Sequence, residues 1–375
     1  MKIKLSQLKS ASERKKFIEE QTQIKLNSIS SVLIDTENTV KIENLVGATS
    51  IPLGIAGPLL INGENGKRKV YLPLTTTEGV LVASVSRGCK AIAESEGAEV
   101  STHHVGTTRG PVFHVKSIRE SKKFYKWIKE HEKEIGSIAE STSKHIKYKK
   151  MMLRTVLPYV FIRFYFDTDD AMGMNMVTIA SNILVEFIEK ETGVKCLSVA
   201  GNFDIDKKPA WLNFIENRGF KAWAEVILKK SVVEKVLKVT PENFYETWLA
   251  KCIYGSIMSG SLGFNAQFAN VIAALYASTG QDLAHVVEGS LGITTAKILE
   301  SGDLYVSVYL PSLMVGTVGG GTKYATQREA LQLLNVTHSQ ELVEVIAGAV
   351  LAGEISLIAS QCEGTLACAH EKLAR

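Results

Sequence analysis

The sequence predicts a mixed α/β fold of the α+β kind, in which a helix-rich chain contains a small sandwich of strands and helices. Three observations lead to this prediction. Residues 111–199 alternate between strand-like and helix-like segments in the order β-α-β-α-β. From residue 201 onward the chain is rich in Gly, Ala and Ser, which is typical of closely packed helices. Residues 303–310, DLYVSVYL, alternate in the way a half-buried strand does.

The first part of the chain reads as a polar segment followed by extended chain. Residues 1–40 are charged, with apolar residues at loose helical spacing, and they predict either surface helices that pack on a partner subunit or a solvated leader. Residues 44–61 are apolar but interrupted by Gly and Pro, which predicts extended chain with turns. A strand over 69–75 and a helix over 78–96 follow, with Thr77 as the N-cap.

The sandwich and the C-terminal segment complete the predicted order. Aromatic and β-branched residues at 156–166 are the strongest strand signal of the chain. Residues 339–375 predict two helices broken near Gly364, with Thr337 and Gln340 as a capping box at the start. The predicted elements of the sandwich are a strand at 112–115, helices at 122–134 and 138–150, a strand at 156–166, a helix at 171–192 and a strand at 195–199.

Charge and composition exclude several classes of protein. The 43 Lys and Arg against 39 Asp and Glu give a net charge of +4, which does not indicate a nucleic-acid binder. The five cysteines form no CxxC pair, so the sequence predicts neither a disulfide framework nor a structural metal site. The longest apolar stretch, at 343–359, is interrupted by Glu344 and Glu354, so no membrane span is predicted. We therefore expect a cytoplasmic protein in a reducing compartment.

Two glycine-containing segments could bind an anion. Residues 170–176, DAMGMNM, follow a predicted strand and open a helix, and the free N–H groups of a helix N-terminus attract phosphate. The segment is not GxGxxG, so the dinucleotide fingerprint is absent and a plain turn remains an alternative. Residues 319–322, GGGT, could form an anion-binding nest, although such glycine runs also occur in loops without a ligand.

Charged residues form two further groups. Residues 206–208, DKK, are either a solvated turn or a site where carboxylates hold a lysine that stabilises an oxyanion. The second group is scattered along the chain, and each member taken singly is more often structural than catalytic. Its members are Glu78 at a helix start, Asp282 after Gly280 and Gln281, and His370 near the C-terminus.

Together these segments resemble the catalytic portion of 3-hydroxy-3-methylglutaryl-coenzyme A (HMG-CoA) reductase, in its eukaryote/archaea-type or class I form. The resemblance runs from about residue 43 to residue 370, and the motifs agree in order and spacing as well as in content. The matching segments are 43–47, 52–59, 76–79, 108–111, 170–176, 206–209, 280–282 and 316–322.

The resemblance implies a reaction and four catalytic residues. Enzymes of this family reduce HMG-CoA to mevalonate and CoA with two NADPH, through a hemithioacetal and mevaldehyde. By this likeness Lys207 stabilises the negative charge on the carbonyl oxygen, and Asp282 lies between Lys207 and Glu78. Glu78 is the general acid that protonates the mevaldehyde oxygen, and His370 protonates the departing CoA thiolate.

The same resemblance implies three sets of binding residues, and it implies no metal. The substrate set is Ser84, Arg109, Asp206, Lys208, Lys251 and Asn270, and the CoA set is Glu43, Asn44 and Gly47. The NADPH set is Ser143, Lys144, Asp170, Met172, Gly173, Met174, Asn175, Gly319, Gly320, Gly321 and Thr322. Lys144 stands where the family often has Arg, which keeps the charge at the 2′-phosphate but loses the bidentate fork.

The resemblance also implies an organisation. It divides the chain into an N-terminal arm at 1–42, a large substrate- and CoA-binding domain at 43–110 and 200–375, and an inserted NADP-binding domain at 111–199. The large domain is expected to surround a long central helix, and the inserted one to be ferredoxin-like. The active sites are expected at the interface of a homodimer or homotetramer, with no nucleic acid or membrane as partner.

Two departures from the family pattern keep other functions open. Ala200 stands where the family usually has a serine, and Gln267 replaces a usual histidine. A paralogue that reduces a related acyl-CoA is therefore one alternative. A catalytically silent CoA- or nucleotide-binding regulatory protein is another, although the retention of all four catalytic residues, Glu78, Lys207, Asp282 and His370, argues against it.

Overall fold

The structure, a computed structural model, describes residues 10–22 and 42–363. The strands are β1 (Leu53–Gly63), β2 (Gly66–Thr75), β3 (Ala98–Arg109), β4 (Val112–His114), β5 (Lys147–Val156), β6 (Tyr159–Asp167), β7 (Lys195–Ser198), β8 (Gly219–Leu228), β9 (Ile293–Ile298) and β10 (Leu304–Leu313). The α-helices are α1 (Ala11–Thr22), α2 (Leu81–Glu94), α3 (Ile118–Glu130), α4 (Glu132–Ser141), α5 (Met174–Thr192), α6 (Leu212–Ile215), α7 (Lys230–Val232), α8 (Pro241–Trp248), α9 (Ser256–Ser259), α10 (Phe268–Thr279), α11 (Val286–Gly289), α12 (Ala325–Leu333) and α13 (Ser339–Glu363). Two π-helical segments (Val233–Leu237, Leu249–Gly255) and two 3-10 turns (Leu283–His285, Gly320–Lys323) lie between them.

Strand β3 belongs to both halves of the sheet. Its first part pairs antiparallel with β8, which continues through β10 to β9, while β1 of the β1–β2 hairpin joins the other side of β3 in parallel. Its last three residues, 107–109, leave β8 and pair antiparallel with β6. Arg109, at the end of β3, and Gly110, which follows it, are therefore anchored where the two halves meet.

The smaller half is a four-stranded antiparallel sheet in the order β7-β4-β6-β5. With α3 and α4 after β4 and α5 after β6, its chain order is β-α-β-β-α-β, which is the ferredoxin-like arrangement. Its apolar side chains form a core of their own between residues 113 and 194. The predicted ferredoxin-like unit is confirmed.

Helix α13 occupies the centre of the larger half. It packs against α2, α10, β1, β3, β8 and β10, and its own apolar side chains are buried around its circumference, with no exposed surface at Leu342, Val343, Ile346 and Val350. Helix α2 approaches it closely, because a Cβ atom on Gly88 would lie 1.9 Å from the Ala352 carbonyl oxygen. The expected long central helix is thus present.

By length and composition α13 could cross a membrane, yet 94% of its apolar window is buried inside the protein. Glu344 and Glu354, which interrupt its apolar sequence, are also fully buried. Glu344 accepts hydrogen bonds from Arg68 at 2.5 Å and from the Glu64 amide at 3.0 Å. Burial raises the pKa of Glu354, whose carboxylate accepts bonds from the Ala266 and Gln267 amides and the Thr294 hydroxyl. These contacts are those of a core helix.

Several predicted elements are wrong in extent or kind. The helix predicted over 138–150 ends at Ser141, and β5 begins at Lys147. The single strand predicted over 156–166 is the second arm of a hairpin that turns at residues 157–158. Strands β3, β8 and β9 were not predicted. For β8 and β9 the reason is that the sequence beyond residue 201 reads as helical.

Two predicted helix caps are also wrong. The N-cap of α2 is Val80 rather than Thr77, and Thr76 Oγ1 instead accepts a bond from the Glu78 amide at 3.0 Å. At the start of α13, Glu341 rather than Gln340 accepts the Thr337 amide, at 2.7 Å. The helix predicted after Gly364 lies outside the described residues.

Candidate active site

The loop between β7 and α6 presents Lys207 in an unusual backbone conformation. Asn202, Ile205 and Lys207 have positive φ angles of 63°, 56° and 55°. For a β-branched residue such as Ile205 this conformation is strained and persists only where neighbouring contacts hold it. Those contacts come from Asp204, which is 1% exposed: its carbonyl accepts the Thr108 hydroxyl at 2.8 Å, and its carboxylate accepts Arg109 Nη1 at 3.2 Å.

Lys207 meets Asp282 at the head of a 3-10 turn. Lys207 Nζ lies 2.7 Å from Asp282 Oδ2, and both side chains remain more than a third exposed. Asp282 also caps its own turn by accepting the Ala284 amide at 3.0 Å. Partial burial alone would raise the pKa of Asp282, but the bonds from Lys207 and the Ala284 amide and the charge of His285 together lower it. The pair is therefore an ionised carboxylate beside a lysine that faces solvent.

Beneath this pair lies a cluster of buried charges, which we call the buried charge cluster: Asp206, Arg218, His285 and Glu288. Arg218, His285 and Glu288 have no exposed surface. The Arg218 guanidinium donates to Glu288 Oε1 at 2.5 Å and to Asp206 Oδ1 at 2.8 Å. The Lys207 amide also donates to Glu288 Oε1, at 3.3 Å. The cluster therefore supports the Lys207 loop from inside the protein.

Three members of this cluster, Asp206, His285 and Glu288, have ligand atoms within 4.8 Å of one another, close enough to hold a metal ion. However, the guanidinium of Arg218 already donates to both carboxylates. A cation thus stands where the metal charge would be needed, and Glu288 Oε1 and Asp206 Oδ1 already accept its N–H groups. The donor set fits an internal ion-pair network better than a metal centre.

The two glycine-containing segments predicted to bind the cofactor lie side by side. We call residues 170–175 the Asp170 segment and residues 316–322 the glycine loop. Ala171 and Val318 form a parallel bridge, and the Thr317 amide donates to the Asp170 carbonyl at 2.8 Å. The Asp170 carboxylate turns away to the start of α13, where it accepts the Ser339 amide at 2.7 Å and lies 2.9 Å from His338 Nδ1.

The glycine loop is also attached to the turn that carries Asp282. The buried Gln281 amide makes two bonds with Gly316, donating to its carbonyl at 3.0 Å and accepting its N–H at 2.9 Å. A Cβ atom on Gly280 would lie 2.4 Å from Gly321, so this contact requires glycine. By contrast, a side chain on Gly319 or Gly320 would enter open space. That open space beside three consecutive glycines suits the approach of a phosphate-bearing ligand.

The remaining predicted NADPH residues surround this junction. Gly173 begins α5 with φ 84°, and the Met174 sulfur contacts Arg218 at 3.0 Å. The Met172 carbonyl accepts the Thr107 hydroxyl at 2.8 Å, and Ser143 Oγ lies 3.8 Å from the Met176 sulfur. Thr322 bonds back to the Gly319 carbonyl at 2.6 Å. Asn175 and Lys144 are exposed, and Lys144 makes no ion pair with another residue in the range 42–363.

The predicted substrate residues are less concentrated. Arg109 is committed to Thr178, Asp204 and Asp206, and Lys208 Nζ reaches the Asp206 carbonyl at 3.2 Å. The others lie along α2, the second π-helical segment and α10. Ser84 donates to Ser356 on α13 at 3.0 Å, Lys251 is half-buried near Glu354, and Asn270 lies 3.4 Å from the Gln267 amide oxygen.

The remaining predicted residues are not bonded to the Lys207–Asp282 pair or lie near the ends of the described chain. Glu78 is half-buried, and in the described ranges no hydrogen bond or ion pair joins it to Lys207 or Asp282. Glu43 and Asn44 form an exposed turn, followed by the half-buried Gly47. His370 lies outside the described residues.

Sequence reasoning missed Arg218, His285, Glu288 and the bridging role of Gln281. A signal was present, because Asp282, His285 and Glu288 recur every third residue and so lie on one face of a helical turn. Arg218 offers no comparable pattern, since an arginine before a glycine reads as a surface turn.

Comparisons with known proteins identify one family over nearly the whole chain. The profile of the hydroxymethylglutaryl-coenzyme A reductase family matches residues 10–375. The chain is 43% identical to the 3-hydroxy-3-methylglutaryl-coenzyme A reductase of Pyrococcus horikoshii, over 96% of this chain and 91% of that protein. For the reductase of Methanocaldococcus jannaschii the identity is 46%, over 96% and 92%. A class II reductase structure from Streptococcus pneumoniae, described as bound to NADPH, shares the fold with a TM-score of 0.72 at 18% identity, covering 95% of this chain and 98% of that one.

Proposed function

The chain belongs to the hydroxymethylglutaryl-coenzyme A reductase family, and on that premise we propose how its residues divide the reaction. The protein is an NADPH-dependent oxidoreductase that reduces HMG-CoA to mevalonate and CoA, the reaction that serves the mevalonate pathway. NADPH, when bound, supplies the two hydrides. The protein has to hold the thioester carbonyl, stabilise the oxygen as it gains negative charge, and donate protons to that oxygen and to the leaving thiolate.

Lys207 is the oxyanion stabiliser in this proposal. Its ammonium group is exposed enough to meet a ligand, and Asp282 fixes its position from 2.7 Å. A preorganised cation that needs no rearrangement during the reaction is the most effective way to stabilise a developing alkoxide. The observation that carries the proposal is the attachment of Asp282, through Gln281, to the glycine loop. It places the Lys207–Asp282 pair next to the segments assigned to the cofactor.

The cofactor site is proposed at the junction of the Asp170 segment and the glycine loop. Gly319 and Gly320 leave room for the pyrophosphate, and the N-terminus of α5 adds the positive end of a helix dipole. Ser143 and Lys144 are proposed at the 2′-phosphate, because Ser143 contacts the first turn of α5 and Lys144 is an exposed cation beside it. This assignment favours NADPH over NADH.

Glu78 and His370 are the proposed proton donors, to the mevaldehyde oxygen and to the CoA thiolate respectively. Within the described residues Glu78 makes no hydrogen bond or ion pair with the Lys207–Asp282 pair of its own chain. We therefore propose a homodimer or homotetramer in which one subunit completes the other's site. The β1–β2 hairpin supports this, since Leu53, Ile55 and Tyr71 lie about half exposed on it, an apolar face typical of an interface.

The organisation proposed for the chain follows the two cores. The core of residues 113–194 supports an NADP-binding domain at 111–199. The core around α13 supports a substrate- and CoA-binding domain at 43–110 and 200–375. An N-terminal arm at 1–42 includes α1, whose Ser10 and Glu13 exchange capping bonds. We propose a cytoplasmic location, since α13 is buried in the core.

The substrate set proposed for HMG-CoA is Ser84, Arg109, Asp206, Lys208, Lys251 and Asn270, with Glu43, Asn44 and Gly47 toward CoA. Gln267 is 7% exposed and donates to the Gly353 carbonyl at 2.6 Å, and its amide oxygen lies 3.4 Å from Asn270 of this set. The alternative of a related acyl-CoA substrate therefore rests on both departures, Ala200 and Gln267.

The test is the oxidation of NADPH by the purified protein on addition of HMG-CoA, followed by the absorbance of reduced nicotinamide. We expect turnover with HMG-CoA and a loss of at least about 100-fold in kcat for Lys207→Ala. Lys297→Ala, which removes an exposed lysine on β9 outside the proposed site, controls for a general charge effect on kcat. No oxidation by the wild-type protein would refute the function, and full activity of Lys207→Ala would refute the role of Lys207. Turnover with another acyl-CoA but not HMG-CoA would support the paralogue.

A further inference from the structure

His285 is a fully buried histidine with one ring nitrogen bonded and the other left open. Its Nδ1 lies 2.7 Å from Glu288 Oε1. Its Nε2 has no hydrogen-bond partner among the described residues. That atom faces two carboxylates, with Asp282 Oδ2 at 3.7 Å and Asp206 Oδ1 at 3.9 Å. A buried polar atom without a partner is uncommon and calls for an explanation.

The bonds to Glu288 decide which ring nitrogen carries hydrogen. Glu288 Oε1 accepts from Arg218 Nη1 and from the Lys207 amide, as an ionised carboxylate does. His285 Nδ1 therefore donates to it. Because Nδ1 is bonded to Glu288, Nε2 is the ring nitrogen that faces Asp282. A proton on Nε2 would be directed at the carboxylate of Asp282 or Asp206. The ring is oriented by Glu288 in the way that a second group orients a catalytic histidine.

We propose that His285, held by Glu288, is a positioning residue that fixes the Asp282 carboxylate and through it the Lys207 ammonium. This inference rests on the proposed function, because it assigns to the Lys207–Asp282 pair the stabilisation of the reacting oxygen. The order of contacts is Glu288, His285, Asp282 and Lys207. Glu288 touches both ends, since it also accepts the Lys207 amide. The positions of the Lys207 side chain and of the Lys207 backbone amide thus both depend on the buried pair of His285 and Glu288.

Charged side chains from several elements of the structure surround His285. Asp206 and Lys207 belong to the strained loop, Arg218 precedes β8, and Asp282 and Glu288 lie one turn before and after the histidine. Two further groups lie beyond these: Arg109 pairs with Asp206 at 3.7 Å, and the fully buried Tyr276 lies near Glu288. Burial raises the pKa of Asp282. The charge of His285 is one of the effects that lower it, after the hydrogen bonds from Lys207 and the Ala284 amide.

Two substitutions separate the two nitrogens of the ring. In His285→Asn the side-chain amide reaches the position of Nδ1 and can still donate to Glu288, but nothing faces Asp282. In His285→Gln the longer side chain places an N–H donor near the position of Nε2. We expect His285→Asn to lower kcat by about 100-fold, as misplacement of a reacting group does. His285→Gln should retain most of kcat, and KM for NADPH should be unchanged in both variants.

The pH profile gives a readout that a merely structural role would not move. The electrostatic effect of His285 lowers the pKa of Asp282, so its loss in His285→Asn should raise that pKa and shift the acid limb of kcat to higher pH. The carbon-13 signal of the Asp282 carboxyl, titrated in the free protein, should shift in the same direction. This measurement needs no turnover, so it tests the inference even if HMG-CoA is not the substrate. Urea unfolding of both variants checks that they are folded.

Two outcomes would overturn the inference. One is a folded His285→Asn variant with wild-type kcat and an unchanged titration of Asp282. The other is an equal loss in the Asn and Gln variants with the acid limb in place, which would assign His285 only to the support of Glu288. Failure of the proposed function is a separate result, in which the wild-type protein itself does not oxidise NADPH in the presence of HMG-CoA.

Discussion

Replacing Gln281 with methionine should detach the glycine loop from the turn that carries Asp282. Gln281 is 8% exposed, and its amide is the partner of both the N–H and the carbonyl of the buried Gly316. Methionine keeps the volume but leaves these two backbone groups unsatisfied. At about 1–3 kcal/mol for each buried unsatisfied group, we expect the free energy of unfolding to fall by about 2–4 kcal/mol, partly offset by the apolar side chain.

The functional consequence should appear in cofactor binding. The loop would move relative to the Asp170 segment, because Gly316 packs against Met172 with no space for a Cβ atom. We expect KM for NADPH to rise by about tenfold, equivalent to about 1.4 kcal/mol. Urea unfolding and steady-state kinetics measure the two effects, and Gln332→Met, an exposed glutamine on α12, is the matched control. A Gln281→Met protein with wild-type stability and KM would refute the bridging role of this amide.

Three further predictions concern separate contacts. Gly88→Ala should lower the free energy of unfolding by about 1–3 kcal/mol in urea, since the new Cβ atom would collide with the Ala352 carbonyl; an unchanged midpoint would contradict the close helix contact. Lys144→Ala should raise KM for NADPH but not for NADH, and Lys144→Arg should restore it; equal changes for both cofactors would remove Lys144 from the 2′-phosphate. The hydrogen bond that His338 donates to the Asp170 carboxylate raises the pKa of His338, so its stabilisation is present below the unfolded pKa of about 6.5 and lost as pH rises through the folded pKa. His338→Gln should therefore flatten the fall in urea midpoint between about pH 6 and pH 8, and identical pH dependence in the two proteins would count against this bond.

The ferredoxin-like unit was the easier part of the fold to predict, and the missed strands show why. Strand β6 is built from aromatic and β-branched residues, whose intrinsic propensity alone predicts a strand. Strand β8, GFKAWAEVIL, alternates buried and exposed positions, but Ala222 and Ala224 are also strong helix formers. Strand β3 buries Thr102, Thr107 and Thr108, so its inner face carries too few apolar residues to be recognised.

The candidate site also contains residues that the sequence could identify and residues that it could not. Motif resemblance was enough to select Lys207 and Asp282 as partners, because each stands in a distinctive local sequence. The buried charge cluster could not be selected, since Arg218 and Glu288 lie 70 residues apart and charged residues are normally expected at the surface. Only the three-dimensional fold shows that their charges compensate one another without exposure to water.

The position of α13 in the chain has a consequence for biosynthesis. This helix follows in sequence every strand and helix that it packs against, from β1 to β10. A nascent chain that has been translated as far as residue 338 therefore exposes the apolar faces that α13 later covers, and such species are prone to aggregate. The ferredoxin-like core, by contrast, is complete in sequence by residue 194 and can close early. The larger half is the part of this protein for which protection by chaperones during translation matters most.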